Sequence, residues 1–140
     1  MTELSLPITT ALASVLSLWL LVLSVAVIRL RRAHAVSLGD GGVEMLNRRA
    51  RAQANLTEYA PLFVIMIAVA EAQGGNGVIL GLLSIVFVLG RFAHGYAIAF
   101  SRRNVPARVG GMICTFTGLA LAAVYNLCLL YTSPSPRDRG

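Results

Sequence analysis

An all-α membrane protein, built as a four-helix transmembrane bundle, is what this sequence predicts, and three observations carry the expectation. Of the 140 residues, 56% are hydrophobic and 13% charged, whereas a soluble chain carries about 25% charged residues. The hydrophobic residues gather into four runs, each close to the roughly 20 residues that cross the hydrocarbon core as a helix. Most of the charges fall between those runs. One domain is the natural count at this length, and no internal repeat or soluble domain interrupts it.

The first run covers about residues 6–28. It is too long for the apolar segment of a cleavable signal, and no basic residue precedes it, so it is expected to remain as a span. The second covers about 52–70, the third about 78–100 and the fourth about 109–131. Helices in lipid approach one another through small residues. Gly77 and Gly81 form one GxxxG, and Ala, Gly, Ser and Thr are frequent in the first and fourth runs. Residues 132–140 turn polar and Pro-rich. That composition predicts a disordered tail, one with the look of an appended segment and no part in the function.

Orientation follows from the connections. All twelve basic residues are arginines. Arg29, Arg31, Arg32, Arg48, Arg49 and Arg51 lie between the first two spans, and Arg102, Arg103 and Arg108 between the last two. The N-terminus and the connection Glu71–Gly77 carry no positive residue. The positive-inside rule therefore predicts a multi-pass protein with both termini outside and both basic connections in the cytoplasm. Arginines beside apolar runs argue against a nucleic-acid partner and for membrane lipids. Cys114 and Cys128 are fourteen residues apart, about 21 Å along a helix, too far to bond to each other. They read as small apolar packing residues. No Cys, His and carboxylate cluster has metal-ligand spacing, so no metal is expected.

Ionisable and polar side chains inside a span are candidates for function. The second span opens Arg51-Ala-Gln53-Ala-Asn55-Leu-Thr-Glu58-Tyr59-Ala-Pro61. At about 100° per residue, Asn55 lies about 40° from Arg51 and Glu58 about 20° to the other side, so the three form a stripe that Tyr59 borders. In the third span Arg91, His94, Gly95 and Arg102 share one helical face, and Phe92, Tyr96 and Arg103 share the next. A purely structural reading pairs Glu58 with Arg91. It makes no use of Asn55, Gln53 or the second ring of arginines. His94 alone reads as a packing or hydrogen-bonding residue, and Asn126 as an interhelical hydrogen bond.

The chemistry of the stripe suggests a ligand. Arginines take carboxylates, Glu58 can take an ammonium group, and Asn55 and Gln53 read amides. A zwitterionic peptide with two carboxylates and one amine uses every one of these, and glutathione is such a peptide. An arginine near its sulfur favours the thiolate, the nucleophilic form.

At these residues the sequence resembles the MAPEG family, the membrane-associated proteins in eicosanoid and glutathione metabolism that include microsomal glutathione transferases. The segment Arg51-Ala-Gln-Ala-Asn-Leu-Thr-Glu-Tyr-Ala-Pro-Leu-Phe63 resembles the family's RAQxNxxEYxPLF signature throughout. Arg31-Arg32, and Arg91 with Gly95-Tyr96, also stand where the family places such residues. The resemblance runs from Val27 to about Arg108. It implies a homotrimer with glutathione in a cytoplasm-facing cleft between neighbouring subunits. It further implies that Arg31, Arg51, Gln53, Asn55, Glu58, Tyr59 and Tyr96 contact glutathione, with Arg91 as a charge partner in the site or the fold. Arg103, seven residues past Tyr96, matches the arginine proposed to activate the thiol in the leukotriene C4 synthase-like branch. Two departures stand out: Phe92 replaces a tyrosine of that branch, and Arg102 sits beside Arg103.

The expected function is a membrane glutathione transferase or peroxidase acting on lipophilic small molecules that enter from the bilayer, with glutathione as co-substrate. The alternative is a non-catalytic member of the same fold, a membrane binding or scaffold protein. A small transporter is disfavoured, since no inverted repeat or broken helix is visible.

Overall fold

The computed structural model describes residues 3–132; the tail expected to be disordered lies, from residue 133 on, outside the described residues. Four helices follow in order: α1 (Pro7–Ala33), α2 (Glu44–Ala72), α3 (Gly77–Ala99) and α4 (Val105–Thr132). All four are long and apolar enough to cross a membrane. Short connections make the helices antiparallel in sequence. The ends of α1 and α3 and the starts of α2 and α4 therefore share one end of the bundle. The nine arginines of the two basic connections collect there.

Sequence chemistry sets the helix starts. Pro7 occupies the first turn of α1, where its missing N–H costs nothing. Asn76 caps α3, its side-chain oxygen accepting from the N–H groups of Val78 at 2.9 Å and Ile79 at 3.2 Å. Asn104 does the same for α4 through Ala107 N–H at 3.1 Å. The α1–α2 connection turns through Gly39, Gly41 and Gly42, all at positive φ. Gly41 is required for space as well, because a Cβ there would stand 2.5 Å from Val36 Cγ2. In the same connection Asp40 accepts from Gly42 N–H at 3.0 Å and the Asn47 amide at 2.8 Å. Those two bonds hold its carboxyl below the usual aspartate range.

Two boundaries differ from expectation. α2 begins at Glu44, eight residues before the apolar run that marked it, and α1 continues to Ala33. An apolar window reports where lipid surrounds a helix, not where its hydrogen bonds start. At 29 residues, α2 is about 43 Å long and must protrude from a hydrocarbon core of roughly 30 Å. Arg48, Arg49 and Arg51 thus belong to a helix rather than a loop. Conversely, α3 stops at Ala99. Arg102 and Arg103 lie in the turn to α4 and do not extend the helical faces on which sequence spacing placed them.

α2 touches the other three helices, α1 touches α2 and α3, and α4 packs mainly on α3. The core is aliphatic and aromatic, with Leu23, Leu56, Ile67 and Leu80 fully buried. Phe63 of α2 stacks on Phe87 of α3 at 3.8 Å between centroids. The close approach of α3 and α4 is made at Gly90 and Gly111. A Cβ on Gly111 would stand 2.6 Å from Gly90 O and 2.7 Å from His94 Cβ. The expected Gly77–Gly81 contact is not what brings helices together: Gly81 faces open space and Gly77 meets only Ile8, at 3.8 Å. Cys114 and Cys128 are free. Asn126 does bond between helices, donating to Met66 O of α2 at 3.0 Å.

Candidate functional site

The site begins with a buried cation. Arg91 projects from the middle of α3 and is 1% exposed. Its Nη1 donates to Thr115 Oγ1 of α4 at 3.1 Å, and its Nη2 to Asn55 Oδ1 of α2 and to His94 Nδ1, the latter at 3.0 Å. Met112 Sδ lies 3.8 Å from Nη1. The guanidinium stands 5.6 Å from the centroid of the Tyr59 ring, a cation–π contact. Tyr59 in turn meets Phe116 edge-on at 5.6 Å.

Neutral acceptors hold Arg91, and the structural pairing of Glu58 with Arg91 is therefore not what the fold uses. The reason lies in helical phase. Glu58 is three residues beyond Asn55, about 60° round the helix. With Asn55 turned to α3, Glu58 comes out exposed on the surface of α2.

Above Arg91, toward the basic end, a cleft of about 360 Å³ opens between α2, α3 and α4. Asn47, Arg51, Asn55, His94, Ile98 and Arg108 line it, with Arg48 at its edge. Arg48 also borders a second cleft of about 420 Å³, whose other walls are Glu44, Met45, Arg102 and Arg103. No carboxylate lines the first cleft, and one, Glu44, lines the second. Converging guanidinium groups with fixed amide and imidazole neighbours suit a carboxylate or another oxyanion.

Arg48 and Arg49 build the floor between α2 and the α3–α4 turn. Arg48 Nη2 donates to Ala97 O at 3.3 Å and to Ser101 O, and Nη1 to Arg102 O at 3.5 Å. Arg49 donates to Ala99 O at 3.4 Å and to Ala26 O at 3.2 Å, and sits 5.3 Å from the Phe100 centroid. The last carbonyls of a helix lack partners within it and carry partial negative charge, so two cations satisfy the end of α3.

The residues singled out from sequence are distributed over several faces. Arg51 and Asn55 line the first cleft, Arg91 and Tyr59 lie beneath it, and Arg103 lines the second. Gln53 turns the opposite way, donating to Ser24 Oγ of α1 at 2.9 Å. Arg31 donates to Gly39 O of the connecting loop at 2.8 Å. Tyr96 is 53% exposed and borders Phe100 at 6.0 Å between centroids. Phe92 packs on Trp19 of α1, ring centroids 4.6 Å apart. Arg48 and Asn47 were missed, although Arg48, Arg51 and Asn55 follow i, i+3, i+7 spacing. Extending α2 to Glu44 would have revealed them. Glu44 carried no sequence signal, and Arg108 counted in the sequence only toward orientation. Among the described residues no three His, Cys, Asp or Glu side chains come together.

Comparison with known proteins agrees with this architecture. The MAPEG family profile matches residues 9–128. The chain is 34% identical over 119 residues to the inner membrane protein YecN of Escherichia coli K12, and equally to YecN of Escherichia coli O6:H1. Each alignment covers 84% of this chain and 89% of YecN. Four apolar helices and an inner-membrane relative make this an integral, multi-pass membrane protein.

Proposed function

The chain belongs to the MAPEG family, and on that premise we propose that it is a membrane glutathione transferase or peroxidase acting on lipophilic electrophiles. The observation that carries this reading is the first cleft. Arg51 and Asn55, two contacts that the family resemblance implies, face one anion-sized space together with Arg108 and His94. Glutathione carries two carboxylates that suit it. The arginine-rich end faces the cytoplasm by the positive-inside rule, with both termini outside.

The directions of the remaining residues support a homotrimer. Glu58, Tyr96 and Gln53 point away from the cleft within one protomer, so a single copy does not close around a tripeptide. Glu58 is exposed about 9 Å inside the apolar part of α2, six residues past its start near Ala52. A carboxylate facing lipid at that depth is costly. A second copy, with glutathione's ammonium between, supplies the missing polar partner. In the assembled site Arg103 stabilises the thiolate, Arg51, Asn55, Glu58, Tyr59, Tyr96, Gln53 and Arg31 hold the peptide, and Arg91 anchors the site. The thiol gives its proton to water, the arginine charge offsets the resulting anion, and the sulfur forms a C–S bond with the electrophile, by addition or with departure of its leaving group.

Adding glutathione to the purified protein should produce the ultraviolet absorbance of a thiolate near neutral pH. Binding without that absorbance would favour a second reading, a non-catalytic membrane binding or scaffold protein. One observation favours this alternative: Phe92 brings no hydroxyl to the site and is packed on Trp19.

A further inference from the structure

A guanidinium has five N–H donors and no acceptor. Every atom that bonds Arg91 must therefore accept, and this fixes the groups around it. Thr115 accepts from Arg91 and passes its own proton to Gly111 O at 2.8 Å. Asn55 meets Arg91 with its carbonyl oxygen, so the amide NH2 is what remains. His94 accepts at Nδ1, which places the proton of the neutral ring on Nε2.

Both free groups belong to residues of the cleft. His94 is 4% exposed, and Asn55 and His94 line the same space as Arg51 and Arg108. Among the described residues the occluded polar atoms without partners are Trp19 Nε1, Ser84 Oγ, Arg91 Nε and Asn126 Oδ1. His94 Nε2 and the Asn55 amide nitrogen are not among them and make no hydrogen bond within the described residues, so neither is fully occluded, and both residues line the cleft.

From this geometry we propose that Arg91 is a positioning residue whose donor-only guanidinium turns the Asn55 amide and the His94 Nε2–H into the cleft, making it selective for a carboxylate. The proposal rests on the glutathione reading for its natural ligand, not for the orientation of the two side chains. Asn55 then reads an oxygen acceptor rather than an amide in general. An ammonium or N–H group finds no acceptor from Asn55 or His94.

The test uses the full chain in micelles, labelled with 15N-histidine. His34, the other histidine, is removed as His34→Gln. The parent ring should be neutral with its proton on Nε2. Succinate, a plain dicarboxylate, and glutathione should each move the Nε2 resonance more than that of Nδ1. Arg91→Lys, which still donates and cannot accept, should keep the tautomer. Arg91→Met should mix the tautomers and weaken succinate binding on the order of ten-fold. If Arg91→Met does not fold, the parent's tautomer and ligand shifts decide alone.

A parent ring protonated on Nδ1, or an unchanged tautomer in Arg91→Met, would overturn the proposal. So would binding of neither probe. A succinate shift without glutathione binding keeps the positioning role and removes the glutathione reading. Glutathione binding that leaves Nε2 unmoved does the reverse.

Discussion

Glu71, at the end of α2, holds the first turn of α1 through Thr9. Its Oε2 accepts from the Thr9 N–H at 2.9 Å and the Thr9 hydroxyl at 2.7 Å, while Oε1 accepts from the Ile8 N–H at 2.8 Å. α1 has no side-chain cap of its own. A carboxylate from another helix therefore satisfies its free N–H groups and complements its dipole. Glu71→Ala should cost about 1.5–3 kcal/mol, the range for hydrogen bonds to a charged group. Glu71→Gln, which keeps one acceptor, should cost less. Unfolding of both variants in one detergent measures this, and stabilities equal to the parent would show that the clamp contributes nothing.

Sidedness can be read by labelling single cysteines after replacing Cys114 and Cys128 with alanine. Leu38, 87% exposed in the α1–α2 connection, and Gln73, exposed after α2, are suitable positions. Gln73→Cys should react with an impermeant reagent from outside intact cells, and Leu38→Cys only after lysis. The reverse pattern would invert the topology.

The α3–α4 contact makes a sharp comparison of two adjacent glycines. A Cβ on Gly111 would overlap Gly90 O at 2.6 Å, whereas one on Gly110 meets nothing within 4 Å. Gly111→Ala should force the helices apart, at a cost of about 1–3 kcal/mol, and disturb the Arg91–Thr115 bond. Gly110→Ala should leave stability equal or slightly higher, because alanine favours a helix by up to about 1 kcal/mol. Equal melting of the two variants would contradict the close approach.

Glu58→Gln separates a ligand contact from a structural one. Since Asn55, His94 and Thr115 hold Arg91, the protomer fold should not depend on the Glu58 charge. If Glu58 takes the ammonium of glutathione, affinity should fall roughly 10- to 150-fold, or about 1.5–3 kcal/mol. Calorimetric titration with glutathione decides, and unchanged affinity removes Glu58 from the site.

Arg102 and Arg103 share one turn and line one cleft, so position along a helix no longer ranks them. A free thiol ionises near pH 8.5, and a neighbouring cation lowers that value by about one unit or more. Arg103→Ala should raise the bound thiol's apparent pKa and lower turnover, with little change in affinity. Arg102→Ala should leave the pKa at the parent value. A pH titration of thiolate absorbance compares them, and the opposite ranking would move the role to Arg102.

The sequence by itself determined the class, the four spans, the charge asymmetry between the two ends and the family. These are local properties: apolar run length, the placement of arginines beside each run, and a contiguous signature from Arg51 to Phe63. It also named Arg51, Asn55, Arg91 and Tyr59, because polar groups at helical spacing inside an apolar run stand out from one segment alone. Tertiary structure alone decided which groups meet. Sequence spacing offered Glu58 as the structural partner of Arg91, whereas the rotation of α2 against α3 turned Asn55 inward to it. Arg102 and Arg103 continued the spacing of α3 until the helix ended at Ala99, where Arg48 and Arg49 of α2 take its last carbonyls. Helical phase is written in one segment, but the rotation and termination of a helix depend on what packs against it. Here that is the glycine contact between α3 and α4 and the arginines arriving from α2.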